Sequence, residues 1–242
     1  MALRSKYEKG YQRFYDSTTG ETMDVMAPAK IIDDFVGEAV DTTNDYVFAA
    51  VNSGAITTVA GTNGLARITT GIADNDDADF ASELVYLVSK GCTLEARIAQ
   101  TDIDGSAINV GFSDATGEAA DLIAVTYSGT TLTSTATDCA LFFQDPDATT
   151  NLVRAVAVAG DVDGTVRSTG TTPVDLAYHT YKVVVDTDGS VEFWFDNVHV
   201  ATEAAGAVAV TATLCMYIAI VNREGAANTL DIDYVRCWSH GR

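Results

Sequence analysis

Residues 179–202 read HTYKVVVDTDGSVEFWFDNVHVAT, and the fold turns on how their side chains alternate. In YKVVVD, Tyr181, Val183 and Val185 alternate with Lys182 and Asp186; in VEFWFD, Val191, Phe193 and Phe195 alternate with Glu192, Trp194 and Asp196. Successive side chains of a strand point to opposite faces of its sheet, so both stretches are predicted to be half-buried strands. DTDG joins them as a hairpin turn, its Asp bonding its own backbone and Gly189 taking positive φ.

Outward from this hairpin the same reading repeats. From about Ile31 to Arg236 short strand-like runs are divided by GTNG, DNDDAD, DIDG, SDATG, DPDATTN and GDVDG. The D-x-D-G pattern recurs at Asp102–Gly105, Asp161–Gly164 and Asp186–Gly189, too irregularly spaced for a repeat protein, so each is a turn. Three runs, LCMYIAIV (residues 214–221), CALFF and LIAV, are apolar on both faces, which requires cover on both sides from a second sheet or a neighbouring subunit. With only three prolines and no sustained helical period after the first fifteen residues, the chain is predicted to be all-β, a sandwich of two antiparallel sheets with extra covering. The 242 residues suit one such domain, 31–242, preceded by an N-terminal arm and leader, 1–30.

Charge divides the chain in the same way. The formal net charge is -20, yet residues 1–15 hold four basic residues, Arg4, Lys6, Lys9 and Arg13, against one acidic residue, Glu8. The remainder should repel nucleic acid and anionic membranes, so neither is expected as a partner. No apolar run approaches the roughly 20 residues that span a bilayer. The basic start leads into polar and aromatic residues instead of an apolar core, so no signal peptide is expected. Cys92, Cys139, Cys215 and Cys237 form no C-x-x-C pair and lie in apolar runs, which predicts buried free thiols.

The order GCTLEARIAQTDIDGSAINVGFSDA, HTYKVVVDTDGSVEFWFDNVHVAT, NTLDIDYVRCW resembles the strand series of the concanavalin-A-like jelly-roll superfamily, which includes laminin G domains and family-16 glucanases. The resemblance covers roughly residues 60–238 and implies a jelly-roll β-sandwich. It also raises the question of catalysis, because the glucanases carry Glu-x-Asp-x-(x)-Glu on the strand after the "EARI" strand. Retaining hydrolysis needs two carboxylates about 5–5.5 Å apart. Here that strand reads AINVGFSDA, with Asn109, Gly111 and Ser113 at the alternate positions, and no E-x-D pair occurs anywhere in the chain. The chain is therefore expected not to be an enzyme.

Other constellations point to structure more than chemistry. DNDDAD holds four carboxylates, Asp74, Asp76, Asp77 and Asp79, but lacks the Gly and Glu of an EF-hand loop, so a solvated acidic loop is expected and no metal site. His179, His199 and His240 lack zinc-ligand spacing, and no phosphate loop or nucleophile elbow occurs, so no cofactor is implied. Trp194, between Glu192 and Asp196 on the polar side of its strand, is a sugar-stacking candidate, expected as part of an exposed aromatic platform on the concave sheet.

The arm offers Leu3, Tyr7, Tyr11 and Phe14 at helical spacing, although Gly10 costs such a helix about 1 kcal/mol; the alternative is an extended arm. Either form would present Tyr7, Tyr11, Phe14 and Tyr15 for apolar contact and Arg4, Lys6, Lys9 and Arg13 for acidic groups on a partner protein. Together with the leader APAKIIDDF, the arm makes the whole chain similar to the virion proteins of tailed bacteriophages that set a lectin-like jelly roll on the capsid as a decoration or head-fibre protein. That resemblance implies a structural role on the capsid exterior after synthesis in the host cytoplasm, the major capsid protein or other virion proteins as partners, and a homo-oligomer, guessed as a trimer from the doubly apolar strand at 214–221. The alternative function is a carbohydrate-binding module that attaches to surface polysaccharide.

Overall fold

The computed structural model describes residues 3–8, 11–16, 22–23, 30–37, 39–59, 64–119 and 122–241, with side chains from residue 30 onward. In the arm, Leu3–Glu8 and Tyr11–Asp16 pair antiparallel, with Lys6 opposite Arg13, and Thr22–Met23 adds a third strand. The extended form is the one observed, in place of the helix that the four-four-three spacing allowed. Gly10 disfavours the helix, while the aromatic residues of YQRFYD suit a strand.

From Lys30 onward the chain builds two antiparallel sheets. One holds eight strands: Val198–Glu203, Val191–Phe195, His179–Val185, Cys92–Gln100, Thr229–Ser239, Leu65–Thr69 and Ala55–Val59 in that order, with Lys30–Asp33 also pairing with Thr229–Ser239. The other runs Val162–Asp163, Arg154–Ala159, Cys139–Gln144, Ser106–Ser113, Thr213–Asn222, Asp77–Ala81 and Val47–Ala50, with Arg167–Ser168 and Tyr86–Leu87 as short side pairings. The hairpin of 179–195 forms as its alternation requires: Tyr181 faces Phe195, Val183 faces Phe193 and Val185 faces Val191 across the pair.

The inward faces of the two sheets share one core. Leu94, Val183, Phe193 and Ile232 meet Ile108, Phe112, Phe142 and Ile218, all essentially inaccessible. Phe142 sits at its centre, edge-on to Phe193 at 5.4 Å and to Tyr181 at 5.5 Å. Such ring pairs contribute roughly 0.5–1.5 kcal/mol each beyond the area they bury.

A second apolar cluster lies on the far face of the nine-stranded sheet. Leu141, Phe143, Val156, Tyr217, Ala219 and Val221 point away from the first core and are covered by Ile123, Ala124, Val125 and Ala136. These covering residues belong to the segment between Ser113 and Cys139, which carries its own hairpin, Val125–Ser128 with Thr131–Ser134. The cover that LCMYIAIV and CALFF require is thus supplied by the same chain. Strand 214–221 is buried on both faces within one molecule, so its apolar pattern is satisfied without a trimer.

Turn chemistry holds at two of the three D-x-D-G sites; at the third the turn falls at Gly160–Asp161, and Val162–Asp163 form a strand paired with Arg154–Ala159. Gly189 has φ +78° as expected, and Asp102 Oδ1 accepts the N–H groups of Asp104 and Gly105. Gly105 and Gly164 do not have positive φ; at Gly164 a close approach requires glycine instead, since a Cβ there would lie 2.4 Å from the Ala157 carbonyl oxygen.

Candidate functional site

On strand Ser106–Ser113, Ile108, Val110 and Phe112 enter the first core, leaving Asn109, Gly111 and Ser113 on the opposite face, as the alternation predicts. That face is closed. Asn109 is 1% exposed and grips the covering segment at two points: its Oδ1 accepts the Val125 N–H at 2.8 Å and its Nδ2 donates to the Val125 carbonyl at 3.0 Å. At Gly111 even a Cβ would come within 2.3 Å of the Ala140 carbonyl oxygen. No carboxylate could stand at Gly111 without a shift of the backbone, and this face is filled by the chain's own residues.

A buried polar group lies under the same cover. Tyr217 donates its hydroxyl hydrogen to Asp79 Oδ1 at 2.6 Å and accepts the Ala124 N–H at 3.3 Å, while Asp79 Oδ2 accepts the Glu118 N–H at 3.2 Å. Burial raises the Asp79 carboxyl to about 7, against the lowering effect of the Tyr217 hydrogen bond, and the nearby charge of Asp77 adds to the rise. Glu118 is also shifted upward, first by burial and then by Asp114, and its Oε1 is buried without a hydrogen-bond partner. These acids tie the cover to the sheet; the groove of about 500 Å³ that opens among Lys30, Asn44, Glu83, Leu87 and Lys90 is a separate feature.

The open chemistry is on the other side of the molecule. Each strand of the eight-stranded sheet turns one set of side chains away from the core, and the register aligns these sets across strands. Trp194 faces Lys182, Lys182 faces Glu95, Glu95 faces Arg236 and Arg236 faces Ile32, giving one continuous row over five strands. Neighbouring strands lie about 4.8 Å apart, so the row spans roughly 19 Å. Beside it, Trp238 follows Arg236 by two residues on the same face, and Tyr234 precedes it by two.

Trp194 is half-buried: its indole N–H donates to Glu192 Oε2 at 3.2 Å, and His199 meets its ring edge-on at 4.9 Å. Trp194, Tyr234 and Trp238, all half-buried, share the outer face of the eight-stranded sheet, across the core from strand Ser106–Ser113. Trp238 and Tyr234 escaped the sequence reading. Their signal was present in DYVRCW, where Tyr234, Arg236 and Trp238 alternate with the core residues Val235 and Cys237.

Ion pairs occupy part of this face. Arg67 binds Asp231 with both Nε and Nη2, at 2.6 and 2.7 Å, and Arg97 binds Asp233 at 2.5 Å while lying over the Tyr178 ring. Arg236 stacks over Tyr234, and its closest carboxylate, Glu95, is 3.9 Å away and already accepts the Tyr234 hydroxyl hydrogen.

The remaining sequence-predicted residues fall elsewhere. Asp76, Asp77 and Asp79 of DNDDAD are buried, contrary to the solvated loop expected. Asp76 accepts hydrogen bonds from Asn52 and the Ala73 N–H, and Asp77 and Asp79 are drawn into strand pairing. The three histidines have separate partners: His179 bonds Asp196, His199 bonds Thr202 and His240 bonds Thr93. All four cysteines are free and buried. In the arm, Arg4, Lys6 and Tyr7 lie on one strand and Tyr11, Arg13, Phe14 and Tyr15 on the next; Lys9 lies outside the described residues.

No protein-family model and no curated protein matches the sequence. Solved structures do. The carbohydrate recognition domain of Emp47p aligns with TM-score 0.56 at 12% identity, over 87% of this chain and 94% of that domain. LamAcat from Zobellia galactanivorans aligns with TM-score 0.58 at 12% identity, over 86% and 96% of the two chains. The fold is the concanavalin-A-like jelly roll. A sialidase chain gives TM-score 0.59 at 12% identity over 94% of this chain, which matches 21% of the sialidase. At such identities the likeness establishes a lectin- and glycosidase-type fold and carries no residue roles.

Proposed function

We propose that this chain is a non-catalytic glycan-binding module that contacts carbohydrate through the outer face of its eight-stranded sheet. The observation that carries this reading is that both tryptophans of the chain, Trp194 and Trp238, stand on that one face, with Tyr234 beside them. Aromatic rings on an open sheet face offer flat apolar area to the C–H faces of sugars, while the adjoining Glu, Lys and Arg side chains can bond hydroxyl groups. Three strand steps, about 14 Å, separate the two indoles across the sheet, which suits successive units of a chain better than a single sugar. The closed far face of the other sheet supports binding without hydrolysis. A broad glycan array is the test: binding that disappears in Trp194→Ala supports the proposal, and no binding across the array removes it.

A second reading concerns the arm, which forms its own three-stranded sheet and, among the described residues, pairs with neither sandwich sheet. We propose that this appendage docks the domain on a phage capsid, its basic and aromatic residues meeting the shell and the acidic domain facing outward as a decoration protein. Deleting residues 1–15 should abolish occupancy on capsids while leaving the sandwich folded; unchanged occupancy would remove the docking role.

A further inference from the structure

Resting on the glycan-binding reading above, we infer that the outer face of the eight-stranded sheet is selective for an anionic polysaccharide, one bearing uronic acid or similar carboxylates. The distribution of charge is the first ground. Residues 16–242 contain ten basic and 33 acidic residues, yet five of those ten, Lys30, Arg67, Arg97, Lys182 and Arg236, project from this single face. Its acids are Glu95, Glu192, Asp231 and Asp233, with Asp186 and Asp196 at the strand ends, so the face is near neutral on a strongly negative protein. A polyanion repelled by the rest of the surface finds its least unfavourable approach here.

The second ground is which cations remain available. Arg67 and Arg97 are held by Asp231 and Asp233, which explains them as cross-strand structure. Lys182 makes no ion pair with any described residue, and Arg236, with its side chain 52% exposed, reaches Glu95 only at 3.9 Å. Lys182 faces Trp194 directly across the hairpin, and Arg236 is two residues from Trp238. Each indole therefore has a cation beside it. Stacking the guanidinium on Tyr234 fixes its plane and leaves its N–H edge to meet a carboxylate, the geometry in which Arg binds such groups in pairs of hydrogen bonds. A neutral glycan would need the rings and would make no use of either positive charge.

The test uses the full chain with tetragalacturonate and a cello-oligosaccharide of equal length, read by calorimetry, alongside the mass of the protein in solution. Tetragalacturonate should bind, and binding should weaken severalfold between about 50 and about 300 mM sodium chloride. Lys182→Ala with Arg236→Ala should lose about tenfold or more for the charged ligand, as expected for loss of charged hydrogen bonds, and keep its circular dichroism spectrum. Trp194→Ala should lose the same ligand without the change in salt dependence. Equal or stronger binding of the neutral oligosaccharide, or an unaffected double variant, would overturn the charge selectivity and leave the glycan-binding reading standing. Binding of neither ligand, with none on the array, would overturn both. A dimer that dissociates in the double variant would mean that an acidic surface of a second copy occupies this face, and would also overturn the inference.

Discussion

Asn109 and Val125 form a two-point hydrogen bond that fastens the covering segment to the nine-stranded sheet, the side-chain amide acting as donor and acceptor to one residue's backbone. Replacing Asn109 with Asp keeps the shape and removes the donor, setting a buried oxygen against the Val125 carbonyl. Asn109→Asp should cost roughly 2–4 kcal/mol, more than Asn109→Ala, because an unpaired buried acceptor retains its full desolvation penalty. Urea unfolding of the two variants checks the order.

Gly111 lies in the same strand and sets a different limit. With a Cβ position 2.3 Å from the Ala140 carbonyl oxygen, Gly111→Ala should destabilise by about 1–3 kcal/mol, and Gly111→Asp by more. A chain rebuilt with acids at 109, 111 and 113 should lose its cooperative thermal transition before it gains any hydrolysis of β-glucan. Calorimetry and a reducing-sugar assay on the same sample decide this.

Asp79 makes stability depend on pH in an unusual direction. In the folded chain the carboxyl holds its proton up to about pH 7, whereas in the unfolded chain it releases it near the ordinary value of 3.8. Between those values unfolding releases a proton, so this group's contribution is most favourable in acid and is lost as pH rises, the loss being complete above about 7. Asp79→Asn cannot titrate. Its stability relative to the native chain should therefore improve from pH 4 to pH 7, by on the order of a few kcal/mol, and stay level above that. Parallel melts at pH 4.5, 6 and 8 measure the difference; a constant difference would exclude the shift.

The thiols make a simpler prediction. Burial raises all four, Cys215 to about 12, so an aromatic disulfide reagent should titrate none in the native protein and four after denaturation, without reductant. A count below four would indicate a disulfide.

Much of this architecture is legible in residues alone. The alternation at 181–185 and 191–195 places Phe193 inside and Trp194 outside, and the pairing register confirms both. DYVRCW carries the same information for Trp238. What the pattern does not say is that Trp194 and Trp238 share a face, because strands 191–195 and 229–239 are 34 residues apart in sequence and are brought together only by the two strands between them in the sheet. Nor can DNDDAD be distinguished from a solvated loop by composition: Asp76 and Asp79 are buried with hydrogen bonds from Asn52, Glu118 and Tyr217, residues distant in sequence, that pay for desolvation.

By itself, then, the sequence determined the strands of the 179–202 hairpin with their inward and outward residues, the free thiols and the want of paired acids at 109–113, since each depends on near neighbours and a period of two. The tertiary structure decided what covers the doubly apolar strands and which exposed side chains form one surface. A strand's alternation records that both faces are apolar but not what lies against them, and strand order in a sheet is set by packing between segments far apart in the chain.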